Sequence, residues 1–351
     1  LFCFVICLVA ICCSNPTKKT DSTDNLPILD NIDYTILDSL TAKITNNDFG
    51  PLTSFLIQID GQIIYEQYFR DHSQNDLHEL QSVTKSFSSA LIGIAVDDGY
   101  IDSIEIPIFD FFPEYSSYSN MSDKKERMTL EHVLQMRTGI QWDEWSMPYG
   151  TSQSPIRNMM RSADFIKYVL DLPVQYEPGT YYTYNTGASM LLGGVIQNQT
   201  GKSPKQFADE YLFEPLGITN YEWPKYANGP HTTGFGLVMQ PRDMLKFGSL
   251  FLNDGIINGD TLLSAEWIAK SIGLYSNMSG GGKYGYQWWI MPTNDLIDQE
   301  YVPYAAGWGI QHIVYIKSLD MVVVCTGEDW DQEYWPIKAI LYDYVFKVIK
   351  D

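Results

Sequence analysis

Strand-forming segments occupy both ends of this 351-residue chain and helix-forming segments fill the middle, a distribution that few folds accommodate. Near the start, TSFLIQI (53–59) and QIIYEQYF (62–69) are rich in β-branched and aromatic residues and meet at Asp60-Gly61, a favoured two-residue hairpin turn. Near the end, HIVYIK (312–317) and MVVVCTG (321–327) form a second apolar pair around SLD, and YWPIKAILYDYVFKVI (334–349) follows with helical spacing. Between them TLEHVLQM (129–136) and TGASMLLGGVIQNQ (186–199) carry apolar residues at helical intervals. In the latter, Ala188, Leu191, Leu192 and Val195 share a face and Gly201 sits where a helix stops. The expectation is an α+β chain: a sheet begun by residues of about 50–70 and completed by residues of about 283–351, with a helical insertion over about 100–225.

The first 13 residues, LFCFVICLVAICC, are uncharged and shorter than the roughly 18 that a spanning helix needs. They read as the apolar core of a signal peptide, followed by a polar linker over 14–26 and a folded domain over 27–351. Plain cleavage and lipidation of Cys13 or Cys12 both stay open, although Ile11 or Cys12 stands where a small residue usually precedes an anchor cysteine. The expected location is that of an exported bacterial protein, periplasmic or held to the membrane as a lipoprotein. Cys325 is the sole cysteine after that segment, so no intramolecular disulfide forms in the mature body. A net charge of −20 repels nucleic acid and anionic membranes, which are set aside as partners.

The chemistry concentrates in QSVTKSFSSALIGIAVDDG (81–99). Phe87, Ala90, Leu91, Ile94 and Ala95 predict a helix that buries one face and stops at Gly99. Ser82 and Lys85 lie three apart, a spacing that brings both side chains to one face at the first turn. A serine hydroxyl is a weak nucleophile until a base takes its proton, and lysine is such a base only when neutral, a state that burial favours. A lysine at the head of an apolar helix is costly as structure and useful as a base. The same spacing recurs at Ser122 and Lys125 in a polar loop, so spacing alone does not decide the matter. The histidines at 72, 78, 132, 231 and 312 show no i+3 or i+4 pairing and no CxxC exists, so no metal site is indicated; no G-x-S-x-G elbow is present.

The order of several motifs adds to this reading. SVTK (82–85), MTLEHVLQMRTGI (128–140), YEPGTYYTYNTGASMLLGGVIQNQTG (176–201), PRDMLKFGSLFLNDG (241–255), YGYQWW (284–289) and AAGWGIQHIVYIKSLDMVVV (305–324) together resemble the serine β-lactamase-like hydrolases of the class C β-lactamase and penicillin-binding-protein type, most of all the esterase and 6-aminohexanoate-dimer hydrolase branch. The resemblance runs from about residue 50 to the end. It implies the β-lactamase/transpeptidase-like fold, an antiparallel sheet flanked by helices with a helical subdomain, the site lying in the cleft between them, and no cofactor. It also implies Ser82 as the acylated nucleophile and Lys85 as its proton-transfer partner. The family's Tyr-x-Asn motif maps onto Tyr184 with Asn185, one residue short of the usual pattern, in preference to Tyr182. The third motif, usually Lys-Thr-Gly or His-x-Gly, falls on Ala305, Ala306 and Gly307; the glycine is kept and implies an oxyanion hole from the amides of Trp308 and Ser82, while the polar group that greets a substrate carboxylate is lost. The expected function is a serine hydrolase cleaving a small ester or amide through a Ser82 acyl-enzyme, esterase-like. Its rivals are a β-lactamase or D-alanyl-D-alanine peptidase and, from another class, a ligand-binding or sensor module without turnover.

Overall fold

The computed structural model describes residues 26–147, 151–278, 281–331 and 336–350. The apolar segment 1–13, and all but the last residue of the linker that follows it, lie outside the described residues. The first hairpin forms where its turn predicts it, as β1 (Leu52–Ile59) and β2 (Gln62–Tyr68), with Asp60 and Gly61 at φ of 49° and 73°. The remaining strands of the main sheet come from the far end of the chain: β3 (Ser276–Asn277), β4 (Lys283–Tyr284), β5 (Trp289–Pro292), β6 (Tyr301–Gly307), β7 (Gln311–Ile316) and β8 (Met321–Gly327). They assemble in the order β2-β1-β8-β7-β6-β5-β4-β3, every neighbour antiparallel. The C-terminal strand thus pairs with the N-terminal one, as the distribution of strand-forming segments anticipates.

Both faces of the sheet are covered. On one side lie helices α1 (Tyr34–Thr45) and, at the chain end, Ile337–Asp343, sealing a core that includes Leu37, Leu40, Ile57, Val314, Val323, Ile340 and Leu341. On the other lie α2 (Thr84–Asp97), α3 (Thr186–Thr200) and α4 (Pro241–Leu252), packed over Leu56, Ile313, Tyr315, Val322 and Val324. A strand buried on both faces has no polar side to present, which is why MVVVCTG is a continuous apolar run with every residue buried.

Helix α2 departs from the expected one-sided burial. Every residue from Thr84 to Ala95 is buried, serines included, because the helix runs between the sheet and the rest of the helical part. Ser88 Oγ donates to the Thr233 carbonyl at 2.9 Å and Ser86 Oγ to that of Gln287 at 2.7 Å, so these hydroxyls stay satisfied out of water. The terminators are as expected: Gly99 follows α2 at φ 74°, and Gly201 caps α3 in the left-handed region at 69°. Among the described residues no helix is long and apolar enough to cross a membrane.

Candidate active site

Ser82 does not occupy the first turn of α2. It sits in a 3-10 turn, Gln81–Val83, that leads into the helix, with Gln81 at a positive φ of 49°. The preceding Leu80 is tied to Leu237 (N to O, 2.8 Å), and Leu237 N donates in turn to Thr84 Oγ1 at 3.1 Å. On the opposite side the turn abuts the end of β6: a Cβ on Gly307 would lie 2.2 Å from the Leu80 carbonyl oxygen. Here a glycine is required for close approach. The turn is therefore gripped between two segments far apart in sequence, leaving Ser82 partly open to solvent.

Lys85, one turn on, is buried, and its Nζ donates to Ser82 Oγ at 2.9 Å and to the Gly234 carbonyl at 2.7 Å. Burial pushes its pKa from 10.5 down to about 8, partly opposed by the attraction of Glu144. The ring of Tyr184 stands over the ammonium at 4.9 Å from Nζ to centroid. Tyr184 is itself held by aromatic neighbours, Trp145 at 5.3 Å and Trp289 at 5.2 Å between ring centres. Ser82, Lys85 and Tyr184, expected from the sequence to act together, are thus brought together.

Asn185 serves as the N-cap of α3, its Oδ1 accepting from Ala188 N at 2.9 Å, while its Nδ2 is buried with no hydrogen-bond partner. Tyr182, the alternative motif tyrosine, lies against Tyr284 at 5.3 Å with its hydroxyl buried and unpartnered. It lines an aromatic pocket of about 460 Å³ with Trp145, Met278, Trp289, Met291, Tyr304, Ile337 and Lys338. Trp145 and Trp289 belong both to this pocket and to the packing around Tyr184, so the pocket lies beside Tyr184. Gly307 ends β6 next to the Ser82 turn; Trp308 follows it, half-buried and edge-on to Trp330 at 5.7 Å. Ala305 and Ala306 are buried in β6 and bring no charge.

Gln287 fastens the arrangement. Its Nε2 donates to the carbonyls of Val133 (3.0 Å) and Leu134 (2.9 Å), its Oε1 accepts from Ser189 of α3 (2.7 Å), and its own carbonyl accepts from Ser86 of α2. One residue between β4 and β5 thereby sets both helices against the sheet. Two residues escape a reading of the sequence alone. Glu144 is buried beside the start of α3, and Lys338 is exposed at the mouth of the aromatic pocket.

A family model described as Beta-lactamase matches residues 47–332. The chain belongs to the β-lactamase family. It is thereby a member of the serine hydrolase superfamily. A curated relative in this family, the 6-aminohexanoate-dimer hydrolase of Paenarthrobacter ureafaciens, is 22% identical over 67% of this chain and 63% of its own length. The chain spans less than two thirds of the length of the curated relatives it matches first. Among solved structures, the octameric penicillin-binding protein homologue from Pyrococcus abyssi superposes with a TM-score of 0.71 at 21% identity, covering 90% of this chain and 76% of that one. A family VIII carboxylesterase gives 0.71 at 16%, covering 90% and 96%. These likenesses bear out the expected β-lactamase/transpeptidase-like fold.

The position of Tyr184 over Lys85 yields a first expected result. Tyr184→Phe lowers kcat by roughly 10² or more, within the range for loss of a general acid or base, and Tyr182→Phe lowers it much less. Steady-state kinetics on the two variants check this; the reverse ranking moves the motif two residues upstream.

Proposed function

We propose that this protein is a serine esterase acting through an acyl-enzyme on Ser82. The observation that carries the proposal is the 2.9 Å contact between Ser82 Oγ and the amine of a lysine whose burial brings its pKa to about 8. About a tenth of such an amine is neutral at pH 7 and half at pH 8. Ser82 Oγ attacks the carbonyl carbon and its proton passes to neutral Lys85. The amides of Ser82 and Trp308 hold the oxyanion. Tyr184 relays the proton to the departing alcohol, the C–O bond breaks, and water then repeats the sequence on the acyl-enzyme, releasing the acid and restoring the serine.

Two features favour a neutral ester. A β-lactam or peptide carboxylate entering a partly desolvated cleft needs a charged partner, because an unpaired buried carboxylate costs several kcal/mol, and Ala305 and Ala306 cannot provide one. The pocket beside Tyr184 is walled by Trp145, Trp289, Tyr182, Tyr304 and two methionines, a lining suited to an apolar or aromatic group. A substrate panel on the purified protein tests the reading. We expect kcat/KM for p-nitrophenyl acetate or butyrate to exceed that for a chromogenic cephalosporin by at least about tenfold, roughly 1.4 kcal/mol in transition-state binding. Hydrolysis should vanish in Ser82→Ala. A cephalosporin cleaved as fast as the esters overturns the preference and points to Lys338, Lys283 or Arg157 as the replacement cation. Binding without turnover of any ester or amide reduces the protein to a ligand-binding module.

A further inference from the structure

Glu144 lies in the loop Gln-Trp-Asp-Glu-Trp, 141–145, with its side chain buried against the start of α3. Both carboxylate oxygens accept hydrogen bonds: Oε2 from Trp142 Nε1 at 2.6 Å and from Thr186 N at 2.8 Å, Oε1 from Thr186 Oγ1 at 2.9 Å. Thr186 directly follows Tyr184 and Asn185. The loop is fixed in turn by Trp142, which packs so closely over Gly187 that a Cβ there would lie 2.8 Å from the indole. A buried carboxylate with this many protein donors is built to remain in one place.

We propose that Glu144 is a positioning residue of the acyl-transfer site, holding Tyr184 and Asn185 at the start of α3 and serving as the buried countercharge of Lys85. The inference rests on the reading of Ser82 and Lys85 given above. Lys85 meets Ser82 from its own element, the Tyr184 ring from the start of α3, and the Gly234 carbonyl. Glu144 is bonded to Thr186, which packs on Gly234, the residue whose carbonyl accepts from Lys85, and its charge acts on Lys85, on Tyr182 ahead of α3 and on Tyr284 of β4. Burial holds the Tyr182 and Tyr284 hydroxyls well above the usual phenol value, so they stay neutral while Lys85 titrates. Burial favours the free amine of Lys85 and Glu144 favours the ammonium. The two opposed influences set how much base is present near neutral pH.

The consequence runs against the usual result of deleting a charged partner. Removing the charge of Glu144 makes Lys85 lose its proton more readily, so the acid side of the pH profile moves to lower pH. The measurement is the rate at which a fluorophosphonate labels Ser82 as a function of pH. In that reaction the Oγ–P bond forms, the P–F bond breaks, fluoride leaves and the serine proton passes to Lys85, without any assumption about the natural substrate. Wild-type protein should show a rate rising through about pH 8. Glu144→Gln keeps the shape and drops the charge, and should move the midpoint down, by up to about one pH unit. Thr186→Val removes one hydrogen bond to Glu144 with the charge intact and should slow labelling at every pH without moving the midpoint. Glu144→Asp keeps the charge on a shorter stem and should hold the midpoint to within about 0.3 unit. An unmoved midpoint in folded Glu144→Gln, or a full-unit displacement in Glu144→Asp, overturns the role assigned to Glu144 alone. Wild-type protein that never labels at Ser82 overturns the acyl-transfer reading together with it.

Discussion

Lys85→Met abolishes acylation of Ser82, lowering kcat/KM for an activated ester by roughly 10⁴ or more, the scale of loss when one member of a nucleophile–base pair is removed. The size follows from the geometry, since the amine is 2.9 Å from Ser82 Oγ and is the base placed to take its proton. In the wild type, kcat/KM should rise with pH through about 8, as the amine loses its proton. The same substitution should act on stability in the opposite direction. A lysine whose pKa is 10.5 when unfolded and about 8 when folded disfavours the native state most below pH 8, and native stability recovers as pH rises from about 8 to 10.5. That difference corresponds to about 3 kcal/mol, offset in part by the hydrogen bonds to Ser82 and Gly234 that methionine cannot make. Urea unfolding at pH 7 should therefore give Lys85→Met a midpoint at or above that of the wild type, with the rise between pH 8 and 10 gone. A variant that is both active and less stable contradicts the whole account of this lysine.

Gly307→Ala damages the site from the other side. Its Cβ would stand 2.2 Å from the Leu80 carbonyl oxygen, with the Cβ atoms of Gln81 and Gln311 at 3.2 Å, and the nearest obstacle is backbone. Either β6 or the Gln81–Val83 turn must yield, at a cost of roughly 3 kcal/mol if other overpacked sites are a guide. Leu80 is two residues from Ser82, so a displacement of about 1 Å there lowers kcat/KM by about 10². Circular dichroism and urea titration establish that the variant folds, and ester hydrolysis reports the site. Folded protein with kcat/KM within about threefold of wild type would show that β6 and the turn do not constrain each other, since even small misplacements are expected to be felt.

The parts of the fold that the sequence announces are those fixed by local chemistry. Asp60-Gly61 makes a hairpin because both residues tolerate positive φ, and MVVVCTG makes a strand covered on both faces because nothing in it wants water. Helix α2 is misjudged as one-sided because Ser86 and Ser88 look like solvent-facing residues. They are buried against carbonyls supplied by Gln287 and Thr233, which no local pattern reveals. Ser82 sits in a 3-10 turn rather than in α2 because Gln81 takes a conformation more usual for glycine or asparagine, held by contacts with residues 237 and 307. Lys85 is legible because an amine ahead of an apolar helix is conspicuous. Glu144 is not, because it is one of 43 acidic residues and its partner Thr186, 42 positions along, is brought to it only by the folded chain. The choice of Tyr184 over Tyr182 depends likewise on which ring the start of α3 turns toward Lys85.

The pairing of β1 with β8 bears on how the molecule is made. Thr53 and Thr326, joined through their hydroxyls at 2.8 Å, are 273 residues apart, and the strands that carry them are interior strands of the sheet. A chain emerging N-terminus first forms the β1–β2 hairpin early and must then keep the open edge of β1 unpaired until almost the whole sequence is available. Closing so long a loop is slow, and an apolar strand edge exposed meanwhile invites pairing with another chain. Chains that stop before residue 321 lack β8 and leave both β1 and β7 without their shared neighbour, so they should collect as aggregates rather than as smaller folded proteins.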